Sequence, residues 1–447
     1  MLKPAHFGYC RFLVSFLVPK LCLGTSRTFI SKFNLIFSVL LLFSQVQAQT
    51  PEKSEHILKN GTRIVTVNIP NANYFSAQIF IRAGSVYETP ETNGLHHLLE
   101  HLYFRNLDSK DSFGVLDSKF EVLGCVANAF TYREFSRIVV EGPIESLYDA
   151  IKYLGDFFRN EFSEQFVKNE IEVIEEEIAL QSADLNRVAE WALWEAAFSK
   201  SAWSLRTCGD PAKLKEVTKG QLLETARKIL TGGNIAVVIA GKFDSRKTIE
   251  LLTPEFENFP SGNIPSSPPL PEITPLRRSL KSHWKESLIG IGFRASGFDN
   301  PEAYFATRII MEVLCGRFGR FRNAGLDVHF NYDLSESGTL LTLFVREGLA
   351  NSENLEARTR KILDDLEKNG ITKKEFDDAK RYLQAQEKLI AQSPKDIAFL
   401  LGLSTLFRKD DVSLSAKKYY SELTLDTVKR FASRFASNNA VFIVWEK

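Results

Sequence analysis

The sequence has few of the residues that build disulfide frameworks or cysteine-rich metal sites. Its 447 residues include five cysteines, no two of which form a C-x-x-C pair, and only seven histidines and two methionines. This spacing excludes a disulfide scaffold and a cysteine-based zinc site. An excess of charge of either sign is also absent, because 56 basic residues balance 55 acidic ones. The sequence therefore gives no electrostatic reason to expect nucleic acid or an anionic membrane surface as a partner.

The first fifty residues differ from the rest because they contain no aspartate or glutamate. Basic residues are followed by the apolar stretch LIFSVLLLF at 35–43 and by Ala48, with Val46 two residues before it. This order predicts a secretory signal peptide over residues 1–48, and hence a secreted or periplasmic protein. A mitochondrial presequence is the alternative, since such segments are also basic and free of acids. Residues 1–30 are unusual for either signal and are consistent with an upstream start assignment.

The remaining chain has the composition and length of a globular protein with two or three domains. Alternating apolar residues in TRIVTVNI and FSAQIFIRAG predict strands, and helical periodicity follows them. Six prolines between residues 260 and 275 predict an extended linker. We therefore expect an N-terminal domain over 49–258, a linker over 259–283 and a C-terminal domain over 284–447.

The two halves resemble an internal repeat. FIRAG at 80–84 aligns with GFRAS at 292–296, and the same offset places HLLEH at 97–101 on IIMEV at 309–313. The glutamate is kept as Glu312, whereas both histidines become aliphatic residues. Chance similarity of two strand-to-helix units is the alternative. If the repeat is real, only the first half has kept a polar site.

The HLLEH motif predicts a metal site. His97 and His101 are four residues apart, so on a helix they share one face and can bind one ion. Glu100 lies beside the pair, where it can take a proton from a metal-bound water. H-x-x-E-H is a zinc-peptidase signature. The alternative is a partly exposed helix whose histidines are merely polar, and His96, off the shared face, is interpreted as incidental.

A third ligand is predicted in NEIEVIEEEI at 169–178. At 100° per residue, one arc of a helix is apolar and consists of Ile171, Val173, Ile174 and Ile178. Glu170 and Glu177 fall inside that arc. A carboxylate on the core side is costly unless it is paired or bound to a cation. The two glutamates therefore suggest one ligand and one supporting partner. The alternative is a charged surface helix with an imperfect apolar stripe.

These motifs resemble the pitrilysin/insulysin/mitochondrial-processing-peptidase family of zinc peptidases. Glu177 follows His101 by 76 residues, and Glu170 precedes Glu177 by seven, as in that family. The resemblance spans residues 55–447, more strongly in the first half. It also covers AGSVYETPETNGLHHLLEHLYF, ANAFT at 127–131, TCGDP at 207–211 and AVVIAGKFD at 236–244.

The resemblance implies an α+β fold in which two similar domains, each a mixed or antiparallel sheet covered by helices, form a clamshell. One Zn²⁺ per chain would be bound in the first domain by His97, His101 and Glu177. Glu100 would be the catalytic base and Glu170 would support a ligand.

Substrate binding is also implied by the resemblance. Asn128, Ala129 and Phe130 would belong to an edge strand that pairs with the substrate backbone. Many family members also grip substrate with an arginine and, seven residues later, a tyrosine. Here Val328 occupies the tyrosine position, and the arginine position is Phe321. The flanking Arg320 and Arg322 are the remaining candidates.

The expected function is a zinc-dependent endopeptidase that hydrolyses short or unfolded peptides. By the same resemblance, the missing tyrosine implies a catalytic subunit that works with a related Arg/Tyr-bearing subunit, although a homodimer or a monomer stays open. The alternative is a non-catalytic scaffold subunit of a processing or assembly complex. The intact HLLEH motif weighs against a scaffold, which needs no metal ligands.

Overall fold

The computed structural model describes residues 51–104, 115–158, 162–281, 287–347, 355–409, 412 and 415–446. The predicted signal peptide lies outside the described residues. The strands are β1 Glu52–Ile57, β2 Arg63–Asn68, β3 Tyr74–Ile81, β4 Val126–Thr131, β5 Ser136–Pro143, β6 Ile235–Gly241, β7 Leu276–Lys281, β8 Leu288–Ala295, β9 Asp327–Asn331, β10 Thr339–Arg346 and β11 Val441–Glu446.

The α-helices lie between groups of these strands and pack on both sheets. They are α1 Leu95–Phe104, α2 Val115–Val122, α3 Leu147–Ile151, α4 Glu164–Ser182, α5 Leu185–Ala197, α6 Pro211–Leu214, α7 Lys219–Ile229, α8 Ser245–Phe256, α9 Pro301–Cys315, α10 Arg320–Asn323, α11 Leu355–Asn369, α12 Lys373–Ile390, α13 Pro394–Phe407, α14 Ala416–Glu422 and α15 Leu425–Ala432. None of the described helices is long and apolar enough to cross a bilayer.

The two sheets have the same topology. The first has the order β1-β2-β6-β3-β5-β4 and the second has the order β7-β11-β8-β10-β9. Without β1, each strand of the first sheet has a counterpart in the second, including the single parallel pair, β2 with β6 and β7 with β11. Helix α1 follows β3 as α9 follows β8. The α+β fold and the repeat predicted from the sequence are therefore confirmed.

The proline-rich segment between the sheets has no helix or strand from residue 257 to residue 275. It packs against the protein, because Leu270 is buried and the indole Nε1 of Trp203 donates to the carbonyl of Pro268 at 3.2 Å. Strand β7 lies inside the predicted linker range of 259–283. The domain boundaries themselves stay a prediction.

The two halves exchange helices. Helix α5, from the first half, packs its apolar face on β8, β10 and β11 of the second sheet, where Leu193 and Trp194 share a core with Phe344. Helix α13, from the second half, packs on β2, β3 and β6 of the first sheet. Burial of apolar surface is the main favourable term in folding, so each half depends on a helix of the other to cover its sheet.

Candidate metal centre

Helix α1 is fixed at its N-terminus by a buried carboxylate. Glu88 accepts hydrogen bonds from the backbone N–H of Gly94 at 2.9 Å and of His96 at 2.8 Å, and from the amide of Asn93 at 2.9 Å. The first N–H groups of a helix have no partner within it, and negative charge is favourable there. Leu98, Leu99 and Leu102 are fully buried on the core side. The helix that carries HLLEH is therefore held at its start and along its length.

The loop with the TCGDP motif packs on the same helix start. The amide of Asn93 also donates to the carbonyl of Arg206 at 2.9 Å. Gly94 and Gly209 both have positive φ, and a Cβ on Gly209 would lie 2.6 Å from the Cα of Gly94. This close contact requires glycine, and it brings the carbonyl of Cys208 next to His97.

Three side chains converge where α1 faces α4. The Oε2 atom of Glu177 lies 3.7 Å from the Nε2 of His97 and 3.6 Å from the Nε2 of His101. The candidate ligand atoms lie within 4.8 Å of one another. Nitrogen and oxygen ligands about 2.0–2.2 Å from a tetrahedral ion are themselves about 3.3–3.6 Å apart. The residues therefore fit a divalent ion such as Zn²⁺, which is bound in catalytic sites by this kind of His₂Glu set.

The second nitrogen of each imidazole has its own partner. The Nδ1 of His101 lies 3.2 Å from Oε2 of the buried Glu170, and the Nδ1 of His97 lies 3.4 Å from the carbonyl of Cys208. Both partners are acceptors, so they favour the tautomer that carries the proton on Nδ1. The Nε2 lone pairs are then directed to the position of the ion.

The charge around His101 is negative. Burial lowers the pKa of His101, but hydrogen bonds to Glu170 and Glu177, together with the charge of Glu100, outweigh it and raise the pKa to about 9. The hydrogen bond from His101 in turn lowers the pKa of Glu177. Three carboxylates beside two imidazoles are a charge arrangement that a dication balances.

Glu100 precedes His101 on α1 and lies next to the end of β4. Its Oε2 accepts a hydrogen bond of 2.5 Å from the hydroxyl of Thr131. A carboxylate held beside a metal site has the position of a general base.

Two family models together cover most of the chain. The model described as Insulinase (Peptidase family M16) matches residues 63–210, and the model described as Peptidase M16 inactive domain matches residues 216–383. The chain belongs to the M16 peptidase family. The predicted family is therefore confirmed.

The relatives of this M16 chain include proteases and complex subunits. An uncharacterized zinc protease, YmxG, of Bacillus subtilis is 24% identical over 75% of this chain and 83% of its own. The mitochondrial-processing peptidase subunit beta of Dictyostelium discoideum is 26% identical over 67% of this chain and 66% of its own. A ubiquinol-cytochrome-c reductase complex core protein I of Euglena gracilis is 26% identical over 60% of this chain and 53% of its own.

A solved structure shares the fold. The crystal structure of a protease from Helicobacter pylori has a TM-score of 0.82 and 17% identity, and the match covers 89% of this chain and all of that one. At this identity the likeness supports the architecture of the M16 chain and not its activity.

The helical wheel for α4 was right for most positions. Glu170, Ile171, Ile174 and Ile178 are buried, but Val173, assigned to the apolar arc, is 41% exposed. Val173 lies at the end of the arc beyond Glu177, where the helix turns to solvent. Glu177 is 38% exposed in its side chain, which leaves its carboxylate accessible beside the two imidazoles.

The predicted substrate-binding residues of the first half lie on an accessible sheet edge. Asn128, Ala129 and Phe130 are in β4, which pairs with β5 and forms the end of the six-stranded sheet. Asn128 is exposed and Ala129 is buried. The ring of Phe130 lies under the guanidinium of Arg137 at 4.7 Å. This placement suits pairing with a peptide backbone, and the role stays a prediction.

The two candidate arginines of the second half are bound within that half. Arg320 donates to Glu375 at 2.8 Å and to Asp365 at 3.0 Å. Arg322 donates to the carbonyl of Val328 at 2.9 Å and to Asp327. A role in substrate binding stays a prediction for both, and these bonds disfavour it.

The second half has aliphatic residues at the positions that repeat His97 and His101. Ile309 and Val313 are buried on α9 where the repeat has histidines. Burial raises the pKa of Glu312, the counterpart of Glu100, to about 7.

His96 is buried with its Nδ1 3.0 Å from the carbonyl of Gly84, away from the ligand set.

The structure also shows partners that the sequence analysis did not find. Glu88, Thr131 and the carbonyl of Cys208 each contact a residue of α1 from a different loop or strand. A main-chain carbonyl has no sequence signal. Glu88 is one of three acidic or amide side chains in ETPETN, any of which can cap a helix.

Proposed function

We propose that the chain is a zinc-dependent endopeptidase acting on short or unfolded peptides. The convergence of His97, His101 and Glu177 on one position, with Glu100 beside them, carries this proposal. When bound by these three residues, Zn²⁺ supplies a Lewis acid that lowers the pKa of a water and polarises a peptide carbonyl.

The chain's own residues supply the proton transfers. Glu100 accepts the proton of the attacking water as a general base. Its carboxylate is held by Thr131 at 2.5 Å and is therefore available at a fixed position. Glu170 keeps the ring of His101 oriented through Nδ1.

Substrate specificity follows from the β4 edge. A peptide that adds a strand there is recognised through its backbone, so the site accepts many sequences. The added strand must be extended, which favours short or unfolded peptides.

The chain is proposed to act as the zinc-bearing subunit beside a second M16 chain. Two observations support a partner: relatives are named as a subunit and as a complex core protein, and both candidate arginines of the second half are engaged within it. The acid-free segment with LIFSVLLLF supports a secreted or periplasmic location. The mitochondrial names among the relatives support the alternative.

A scaffold role is the second candidate, because a relative is a complex core protein. Metal analysis separates the two. One zinc per purified chain supports the peptidase, and absence of zinc after supplementation supports the scaffold.

The proposal is tested by assaying cleavage of unfolded casein by this chain alone and by this chain co-expressed with a second M16 chain. Glu100→Gln is expected to retain zinc and to abolish turnover, because the amide cannot accept the proton. Wild-type turnover in Glu100→Gln would remove Glu100 from the mechanism. Absence of cleavage by the zinc-loaded wild-type chain under both conditions would contradict the peptidase function.

A further inference from the structure

The hydroxyl of Thr131 is the protein group that holds Glu100. Thr131 is the last residue of β4, and its Oγ1 lies 2.5 Å from Oε2 of Glu100. The contact joins α1 to the sheet edge that is proposed to bind substrate. Among the described residues, no other hydrogen bond to the Glu100 side chain is present. The orientation of the Glu100 carboxylate therefore depends on the hydrogen bond from Thr131.

The direction of this hydrogen bond follows from the donors available. A threonine hydroxyl has one proton, and an ionised carboxylate can only accept. The nearby hydroxyl of Ser136, 3.4 Å from Thr131, donates its own proton to the carbonyl of Ala83 at 2.9 Å. The proton of Thr131 is therefore the one directed to Glu100. A hydrogen bond to a charged acceptor is about twice as strong as a neutral one.

We propose that Thr131 is a positioning residue for the general base. It fixes Oε2 of Glu100 and thereby leaves the other carboxylate oxygen, Oε1, to face the attacking water. This inference rests on the proposed peptidase function and adds one element to it. Strand β4, which is proposed to pair with substrate, ends in Thr131, the residue that orients the general base. One strand therefore positions both the peptide and the proton acceptor.

The proposal predicts that removing the Thr131 hydroxyl changes turnover and leaves substrate binding unchanged. Loss of the hydroxyl is expected to leave β4 and the three candidate ligands in place, because within the described part of the chain the Thr131 hydroxyl is hydrogen-bonded to Glu100 and Ser136 and to none of the ligands. It removes only the restraint on Glu100. The expected loss is therefore in kcat and not in KM or in zinc content. General bases contribute about 10²–10⁴-fold to rate, and loss of their orientation is expected to cost a part of that.

The test compares Thr131→Val, which keeps the shape and removes the hydroxyl, with Thr131→Ser, which keeps the hydroxyl. Thr131→Val is expected to lower kcat about 10- to 100-fold with KM within about twofold of wild type. Thr131→Ser is expected to restore most of kcat. Zinc content and the affinity of an uncleaved peptide, measured in the Glu100→Gln background, are expected to be unchanged by Thr131→Val.

Ser136→Ala is the matched control, since it removes the facing hydroxyl of the same hairpin without touching Glu100. It is expected to lower the melting temperature and to leave kcat unchanged. If Thr131→Val does not fold, Thr131→Ser and Thr131→Ala are compared instead, and kcat must differ at least about tenfold between them.

Wild-type kcat in Thr131→Val, or equal kcat in the serine and alanine variants, would overturn the inference while leaving the proposed function intact. A fall in peptide affinity or zinc content equal to the fall in kcat would also overturn it, because Thr131 would then act only through the fold. Absence of zinc or of cleavage in the wild-type chain would contradict the proposed function itself.

Discussion

Each imidazole of the candidate metal centre is oriented by a group that lies far from it in sequence. His101 uses the carboxylate of Glu170, and His97 uses the carbonyl of Cys208. The carboxylate is the stronger partner, because it is charged and buried. It also raises the basicity of the ligand that it contacts. At this scale the apolar arc selects Glu170 and Glu177 together. Glu170 faces the Nδ1 of His101, whereas Glu177 faces the Nε2 of both imidazoles, so Glu177 is the proposed ligand and Glu170 the proposed supporting residue.

Glu170→Gln tests this orientation. The variant removes the negative charge beside Nδ1 of His101, so the zinc affinity is expected to fall about tenfold or more. Chelator competition on the purified protein measures it. Glu172→Gln, two residues along the same helix and exposed to solvent, is the matched control and is expected to leave the affinity unchanged. Equal affinities in the two variants would contradict the role of Glu170.

Helix α13 shows how an element of one half becomes part of the core of the other. Its segment PKDIAFLLGLSTLF is apolar on most sides, and most of its residues are buried. Gly402 is where the helix passes closest to the first sheet. A Cβ at this position would lie 1.9 Å from a ring carbon of Phe80, so the absence of a side chain sets the distance between helix and strand. The helical pattern of apolar residues predicts that this segment is a helix. Because hydrophobic attraction is non-directional, the pattern does not predict which sheet the helix packs on.

Gly402→Ala is therefore expected to destabilise the protein by about 1–3 kcal/mol, because the methyl group overpacks the contact with Phe80. Gly220→Ala, in α7, is the matched control. The nearest atom to a Cβ at Gly220 is 3.9 Å away, so alanine is expected to stabilise the helix by about 0.5–1 kcal/mol. Urea denaturation of both variants measures the two signs. A stable Gly402→Ala variant would show that the helix does not rest on Phe80.

At the scale of the whole molecule, a buried polar cluster joins the two halves. Arg82 of the first half donates to Glu336 of the second at 2.6 Å. Glu134 accepts from the hydroxyl of Ser267 at 2.5 Å and from the backbone N–H of Glu336 at 3.0 Å. Glu134 is 2% exposed, and its burial raises its pKa from 4.5 to about 7. The boundary between the halves therefore carries a group that titrates near neutral pH.

The sign of the pH dependence follows from this shift. Between pH 4.5 and about 7 the folded protein holds a proton on Glu134 that the unfolded chain has released, so the contribution of Glu134 to stability falls as the pH rises through this window. Glu134→Gln removes this contribution. From the acidic to the neutral end of this window, we expect the free energy of unfolding of Glu134→Gln to rise by roughly 1–3 kcal/mol relative to that of wild type.

Denaturation of the zinc-free protein at several pH values measures the difference. Glu145→Gln, at an exposed site of the first half, is the control and is expected to track wild type. A constant difference between Glu134→Gln and wild type across the window would contradict the titration of Glu134.

The sequence by itself determined where the candidate site residues lie on their helices. The i, i+4 spacing of His97 and His101 on a helix, the position of Glu100 between them and the arc that selects Glu170 and Glu177 are all consequences of helical periodicity. The repeat of strand and helix patterns predicts two similar halves, whereas the α+β class is implied by the resemblance to the zinc-peptidase family.

Only the tertiary structure decided which distant groups meet. It placed Thr131 on Glu100, Cys208 on His97 and Glu88 at the start of α1, and it exchanged α5 and α13 between the sheets. It also turned Val173 to solvent and engaged Arg320 and Arg322 within the second half. The physical reason is that periodicity fixes the direction of a side chain relative to its own helix or strand. The partner in that direction depends on how the elements pack.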